Sequence, residues 1–378
     1  MDILNKFKVL SSYSGLELVE DIDCQLNPNT RKNSISRAVL PNGKIIKLAK
    51  TLLTSACERN CYYCPFRAGR NYQRETLSPT QLANLVYSMH QSGKVEGIFI
   101  SSGIAGGGQR TQDLIIETAE LLRYSHGYQG YLHLKIMPGA DYDQVLRMMQ
   151  LANRVSINLE GPNQVTLSKL APHKSFYSEL IIPLQWIETI RNTLPNHMGW
   201  NSRWPSSSTQ FVVGGADETD LELLDRSESL YTQYKLSRVY YSAFNPIKDT
   251  PLENHPPVNP TRQLRLYQAN FMIRDYGFRY EELPFNKDGY LPIDHDPKTL
   301  WAQMNLMDTP VEINTANKQE LLRIPGIGIK TAQRLLKARR IHKISSIEDL
   351  RKQGLQSNRF FPYILLDGKK LPRQLSLV

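Results

Sequence analysis

The stretch that decides the fold is CERNCYYC, residues 57–64, which carries three of the four cysteines of this 378-residue chain. Its spacing is Cys57-x3-Cys61-x2-Cys64, so three thiols lie within eight residues of one another. Cysteines this close in sequence do not build a disulfide framework, and thiolates at such spacing bind zinc or an iron–sulfur cluster. The stretch therefore predicts a metal centre held by a single loop.

The choice between zinc and an iron–sulfur cluster depends on the fourth ligand. A structural zinc site takes four ligands, usually Cys or His, but the next such residue after Cys64 is His90. Three cysteines can hold a four-iron cube and leave one iron open to another ligand. The sequence favours the cluster, with structural zinc as the alternative. Cys24 is the one remaining cysteine, so a second cluster is not expected.

Outward from this loop, short apolar runs alternate with helical patterns. We expect strands near residues 47–54, 97–101, 131–137, 154–159, 208–213 and 238–244. We expect helices at residues 78–90, 110–124, 141–151, 177–192, 220–234 and 260–276. Ser78-Pro79 is a helix start signal, with Ser as N-cap and Pro in the first turn. Six strand–helix units predict a parallel sheet curled into a partly open barrel, with the site at the carboxyl ends of its strands.

The cysteine loop resembles that of radical S-adenosylmethionine (SAM) enzymes, whose fold is an α/β partial (β/α)6 TIM-like barrel. In that family the three cysteines bind a [4Fe–4S] cluster, SAM chelates the fourth iron, and one electron cleaves SAM to a 5′-deoxyadenosyl radical. HLKIMPGA (133–140), SINLEGPN (156–163) and RVYYSAFNP (238–246) are similar to a bacterial group of these enzymes assigned to DNA modification or repair. The resemblance implies both cofactors and an electron donor such as flavodoxin or ferredoxin.

The same resemblance implies the residues that contact SAM. An aromatic residue borders the adenine, the end of the second strand binds the amino group, and the fourth and fifth strands contact the ribose, the methionine and the adenine. At the second strand the family often has Gly-Gly-Glu, whereas this chain has Ser-Ser-Gly, so hydroxyls or backbone carbonyls must replace the carboxylate. The implied contacts are Tyr63, Ser101, Ser102, Gly103, Asn158, Glu160, Gln210 and Val213.

The charge of the chain is concentrated at its C-terminal end. Residues 314–378 hold 14 Lys and Arg against four Asp and Glu, a net charge of +10 that equals the net charge of the whole chain. The remaining residues are therefore neutral overall. A neutral body joined to a basic unit is typical of a catalytic domain tethered to a polyanion-binding module, with a solvated basic surface as the alternative.

The stretch LLRIPGIGIKTAQRLLKARR (321–340) resembles a helix-hairpin-helix motif, a DNA-binding element without sequence specificity. We expect a helix at 315–322 with Thr315 as N-cap, a break at Pro325-Gly326-Ile327-Gly328, and a helix at 329–340. Glycines allow the backbone to approach a phosphate, which the free N–H groups of the second helix then bind. The implied DNA-binding residues are Pro325, Gly326, Ile327, Gly328, Lys330, Thr331, Arg334 and Lys337.

These observations predict an N-terminal lead-in (1–45), a radical SAM barrel (46–278), a connector (279–312) and a small all-α helix-hairpin-helix domain (313–378). The start of the chain lacks the pattern of a secretory signal and no apolar run is long enough to cross a bilayer, so we expect a cytoplasmic protein without membrane contact. We expect an enzyme of DNA modification or repair. The alternatives are an RNA- or tRNA-modifying enzyme of the same chemistry and a non-catalytic DNA-binding protein with a structural or redox-sensing metal site.

Overall fold

The computed structural model describes residues 2–12, 35–40, 43–356 and 358–371. Cys24 and the lead-in turn at residues 27–29 lie outside these ranges. The described chain forms two compact units, which are treated separately below. The first comprises Met1–Glu218 and Ser229–Pro260, and the second comprises Thr219–Glu228 and Thr261–Val378. No helix among the described residues is long and apolar enough to span a membrane.

A seven-stranded sheet, curled into a half-barrel, forms the centre of the first unit. Its strands follow one another in chain order: β1 Ile35–Val39, β2 Ile45–Leu52, β3 Gly97–Ser101, β4 Tyr131–Lys135, β5 Arg154–Ser156, β6 Ser206–Val213 and β7 Arg238–Ala243. Strands β2–β7 are parallel, which confirms the six predicted strands, while β1 pairs antiparallel with β2. The lead-in prediction missed β1 because a single antiparallel strand has no crossover helix to signal it.

Helices connect the parallel strands of the half-barrel. The first eight α-helices of the described chain are α1 Ile3–Ser12, α2 Pro79–Gln91, α3 Gly108–Glu120, α4 Tyr142–Leu151, α5 Gln164–Leu170, α6 Ile182–Thr193, α7 Asp220–Gln233 and α8 Pro260–Tyr276. The connections between parallel strands contain α2 to α7, while α8 follows β7. The Ser78 hydroxyl caps α2 through the N–H of Gln81, as the Ser-Pro signal predicts. The prediction of a lead-in at residues 1–45 also missed α1, which buries Phe7 and Leu10. The seven-residue α5 was missed because it spans only two turns.

Alternation along the strands separates two faces of the sheet. Apolar residues on one face, such as Ile100, Leu134 and Ile157, are fully buried. Residues that alternate with them, such as Ser101 and Lys135, line a cavity on the concave face. Because successive side chains of a strand point to opposite faces, the sheet has an apolar side for its helices and a polar side for a ligand.

The second unit combines short helices with a small sheet. Its further elements are β8 Val311–Glu312, α9 Pro297–Asn305, α10 Lys318–Arg323, α11 Ile329–Ala338, α12 Ile347–Lys352, β9 Ile364–Leu366 and β10 Lys369–Lys370. Strands of two or three residues are too short to show a period, which is why an all-α unit was predicted without them. The predicted N-cap Thr315 is wrong. Asn317 caps α10 instead, because its side chain accepts the N–H groups of Gln319 and Glu320 and completes a capping box with Glu320.

Candidate metal and cofactor site

The cysteine loop follows β2 and is held against the end of β3. The backbone N–H of Glu58 donates to the carbonyl of Ile104 at 2.7 Å, and its carboxylate accepts the N–H groups of Gly106 and Gly107 at 3.0 and 3.1 Å. A Cβ at Gly103 would lie 2.2 Å from the Ala56 carbonyl oxygen, so only glycine permits this approach. The loop is thus positioned by contacts of its own backbone and of the Glu58 carboxylate.

Arginines hold the remainder of the cysteine loop. Arg59 forms an ion pair with Glu179 at 2.6 Å and donates to the carbonyl of His173 at 2.5 Å. Arg74 donates to the carbonyls of Ser55 and Phe66 at 2.9 and 3.0 Å. Three carbonyls outside helices and strands are satisfied in this way. These arginines carry no sequence signal, because their partners lie 8 to 120 residues away.

A cavity at the carboxyl ends of the strands brings the predicted residues together. All three cysteines of the loop line it, together with Tyr63, Ser101, Ser102, Gly103, Asn158, Glu160 and Gln210. Val213 does not line the cavity, whereas its neighbour Val212 does. Strand alternation gives the physical reason, since it directs these two side chains to opposite faces of β6. The other seven residues implied as SAM contacts all line the cavity.

Two buried oxygen atoms in this cavity have no hydrogen-bond partner among the described residues. They are Ser102 Oγ and Glu160 Oε2. Buried polar groups in folded proteins are nearly always hydrogen-bonded, so such atoms indicate a missing partner. Three soft thiol donors beside two unsatisfied oxygens form a donor set that fits an iron–sulfur cluster and a ligand with amino and hydroxyl groups.

Glu160 and Lys174 form a buried ion pair at the cavity. Lys174 Nζ lies 2.9 Å from Glu160 Oε1, and the two side chains are only 10% and 4% exposed. Burial alone would lower the pKa of Lys174, but the Glu160 carboxylate and then Cys61 raise it above its usual value. The lysine is therefore a fixed positive charge beside the thiols. The stretch LAPHKS (170–175) is similar to the bacterial group assigned to DNA modification or repair, but the sequence indicates no role for Lys174, whose partner Glu160 is 14 residues away.

Burial also affects the thiols. It raises the pKa of Cys61 and of Cys64, and the charge of Lys174 opposes the rise in both. Because the thiolate is the form that binds metal, loading a cluster here must release protons. Within the described residues, no three His, Cys, Asp or Glu side chains lie close enough to share one metal ion. A four-iron cluster takes its cysteines on different irons.

The second unit contains the predicted hairpin. Gly326 has a φ of +84°, in the region that favours glycine, and Gly328 precedes α11 without a side-chain cap. Lys330, Arg334 and Lys337 are exposed along α11. Arg334 also donates to the carbonyl of Gln353 at 3.3 Å. Exposed cations beside an uncapped helix start are the arrangement that binds an anion.

Known proteins resemble both units. Residues 51–194 match the family model "Radical SAM superfamily", and residues 308–360 match "Helix-hairpin-helix motif". No curated protein matches the chain.

Solved structures similar to this chain include the FeFe-hydrogenase maturase HydG from Carboxydothermus hydrogenoformans, at 15% identity and a TM-score of 0.48, covering 60% of this chain and 51% of that one. Methylornithine synthase (PylB) has 12% identity and a TM-score of 0.47, covering 60% and 62%. The radical S-adenosylmethionine methyltransferase TsrM from Kitasatospora setae has 12% identity and a TM-score of 0.41, covering 55% and 38%. The chain thus spans less than two thirds of the length of each of these proteins.

Proposed function

We propose that this protein, which contains a radical SAM domain and a C-terminal helix-hairpin-helix motif, is a radical SAM enzyme that modifies or repairs nucleic acid, with DNA as its preferred substrate. The observation that carries the proposal is the cavity at the strand ends, where the three cysteines and the unsatisfied oxygens of Ser102 and Glu160 come together. We propose nucleic acid as the substrate class because the same chain contains the hairpin.

The cysteines and the polar residues of the cavity would bind different groups. Cys57, Cys61 and Cys64 would hold the [4Fe–4S] cluster, and Ser102 and Glu160 would accept hydrogen bonds from SAM. When bound, the cluster and SAM would supply the one-electron chemistry that generates a radical able to abstract hydrogen. The buried lining residues Cys61, Ser101 and Glu160 would limit the access of water, which protects a reactive species from side reactions.

Lys174 contributes to the same site through charge. Thiolates that replace buried thiols add negative charge to a cavity that already contains Glu160. Because Lys174 is held at 2.9 Å from that carboxylate and also raises the share of thiolate at Cys61 and Cys64, it offsets part of this charge. We assign Lys174 to positioning Glu160 and to stabilising the charged form of the site.

The hairpin supports nucleic acid as the substrate class. The N–H groups at the start of α11 and the cations Lys330, Arg334 and Lys337 would contact backbone phosphates, which position a protein on a strand without reading sequence. A base within a duplex would have to leave the stack to reach the cavity, or be unpaired beforehand. The hairpin thus acts as a tether, and the cavity selects the reacting nucleotide.

The proposal is tested with the full chain, reconstituted with iron and sulfide without oxygen and supplied with reductant, SAM and deuterated DNA. We expect 5′-deoxyadenosine to form and to carry deuterium by mass spectrometry. The matched control is Cys61→Ser, which should yield neither product. Transfer from deuterated RNA and not from DNA would move the substrate to the RNA class. A colourless protein with stoichiometric zinc would overturn the proposal entirely.

A further inference from the structure

A buried lysine lies behind the hairpin of the second unit. Lys298, in the first turn of α9, is 9% exposed, and its Nζ donates a hydrogen bond to the carbonyl of Ile327 at 2.6 Å. The ammonium also lies 4.4 Å from the ring centroid of Tyr276 on α8. A lysine is almost never buried without such partners. The buried ammonium is thus held by a backbone group of the hairpin, so Lys298 can influence the conformation of the hairpin.

The hydrogen bond to Ile327 determines the direction of the next N–H group. The Ile327–Gly328 peptide is trans, as are all the described peptide bonds, so its C=O and N–H groups point in opposite directions. With the carbonyl turned toward Lys298, the Gly328 N–H points away from it. No described residue's backbone carbonyl accepts that N–H. It is therefore one of the donors that the start of α11 leaves available.

We propose that Lys298 is a positioning residue that orients and polarises the Ile327–Gly328 peptide, so that the Gly328 N–H binds a backbone phosphate of nucleic acid, and that it makes this binding depend on pH. A positive charge on a carbonyl strengthens the N–H of the same amide as a donor, because hydrogen bonds in a chain polarise one another. The inference rests on the proposed function of the hairpin and extends it to a residue on another helix.

The charge of Lys298 changes near neutral pH. Burial lowers the pKa of Lys298 to about 7, and Asp296 at the start of the same helix opposes the shift. Among the described residues, the other titratable group in contact with Lys298 is Tyr276, whose hydroxyl pKa is raised by burial and then by Asp275 and Asp296. The ammonium is present below its pKa and is lost above it. Affinity for phosphate should therefore fall as the pH rises through neutrality.

The test measures binding of the full chain to a labelled DNA duplex by fluorescence anisotropy at constant ionic strength. From about pH 6 to pH 8.5, wild-type affinity should fall roughly two- to fivefold, the range for one charge acting at a helix N-terminus. Lys298→Met should bind more weakly by a similar factor at the lower pH and show a flat profile. The matched control Lys330→Met should weaken binding at every pH and keep the wild-type profile. A Lys298→Met protein with wild-type affinity and profile would overturn the proposal.

A second variant tests whether the effect of Lys298→Met comes from a folding defect. A second measurement tests the role of Lys298 even if the protein does not bind DNA. Lys298→Arg keeps the charge throughout and should bind tightly without the pH dependence. The Ile327–Gly328 step is the one Ile-Gly pair in the sequence, so ¹³C-carbonyl isoleucine and ¹⁵N-glycine labels give a single amide signal. That signal should shift in wild type with a midpoint near neutrality. If no duplex binds at any pH, the proposed hairpin function fails while this shift still supports Lys298 as the positioning residue. A signal that does not move overturns the role of Lys298, whatever the binding.

Discussion

At the scale of single residues, Glu160 organises the cavity. Its φ of +62° is unusual for a residue other than glycine, and such strain persists where the surroundings over-determine the conformation. Its N–H donates to the carbonyl of Gln210 at 3.0 Å and its own carbonyl accepts the N–H of Val212 at 2.8 Å. These bonds attach Glu160 to β6 and hold its carboxylate at Lys174.

Replacing Lys174 with methionine should destabilise the protein strongly. Glu160 would remain as an unpaired buried carboxylate, which costs about 3–5 kcal/mol when one partner of a buried pair is removed. Chemical denaturation of the metal-free protein measures the change. The matched control is Lys169→Met, since the Lys169–Asp217 pair is 53% and 76% exposed and such pairs contribute at most about 1 kcal/mol. Equal losses in the two variants would contradict the buried-pair interpretation.

Replacing Cys64 with alanine should abolish the cluster. Two thiolates cannot hold three corners of a four-iron cube, so iron, sulfide and visible absorption should all be lost after anaerobic reconstitution. Cys24→Ser is the control and should retain the iron and sulfide content of the wild type. Retention of a full cluster by Cys64→Ala would remove Cys64 from the ligand set.

At the scale of elements, the end of β3 and the cysteine loop fit together through Gly103. Its N–H donates to the carbonyl of Thr54 at 2.7 Å, and an added Cβ would lie 2.2 Å from the Ala56 oxygen and 3.2 Å from the Cys57 Cβ. The first contact is to backbone, which cannot rotate away. Side chains are therefore excluded here by sterics and not by conformational preference.

Gly103→Ala should displace the cysteine loop and lower cluster loading. We expect reduced iron content after reconstitution, and lower unfolding stability by about 1–3 kcal/mol from overpacking. Gly43→Ala controls for a general loss of stability, because its φ of +83° disfavours alanine while the added Cβ meets nothing within 4 Å. If both variants load iron equally well, the close approach at Gly103 does not position the cluster ligands.

At the scale of the whole molecule, the net positive charge is concentrated in the C-terminal part of the chain. The net charge of +10 lies within residues 314–378, and the remainder is neutral overall. On the proposed function, a neutral body would avoid non-specific attraction of nucleic acid to the entire surface, and the basic part would concentrate attraction on the hairpin. Affinity for nucleic acid should therefore depend on where a positive charge is removed and not only on how many are removed.

Removing two cations from the hairpin helix should reduce the salt dependence of DNA binding. For Lys330→Gln with Lys337→Gln, the slope of log K against log salt should fall by about 0.9 for each lost phosphate contact. Salt titrations by fluorescence anisotropy measure this slope. Lys343→Gln with Lys352→Gln removes the same charge from exposed residues that pair with Asp367 and Asp349. A similar slope change in this second variant would show that net charge, and not the hairpin, governs binding.

The sequence predicted the larger elements, and its prediction of a metal centre at residues 57–64 stays a prediction. The six parallel strands were found because each apolar run is bounded by turn residues and followed by a helical pattern. The cysteines were found because their spacing is short and local. The same approach missed the N-terminal β1 and the small sheet β8–β10, since strands that short or that isolated carry no readable period.

Local sequence by itself therefore determined the three-cysteine loop, the individual strands and helices of the first unit and the Pro325–Gly328 hairpin, because each of these depends on neighbours within a few residues. The order of the strand–helix units then predicted the parallel sheet. The tertiary structure alone decided that Lys174 pairs with Glu160, that Val212 and not Val213 lines the cavity, and that Lys298 reaches the carbonyl of Ile327. Burial and the meeting of distant side chains cause these three outcomes. They follow from how elements pack, and no pattern within a single element encodes them.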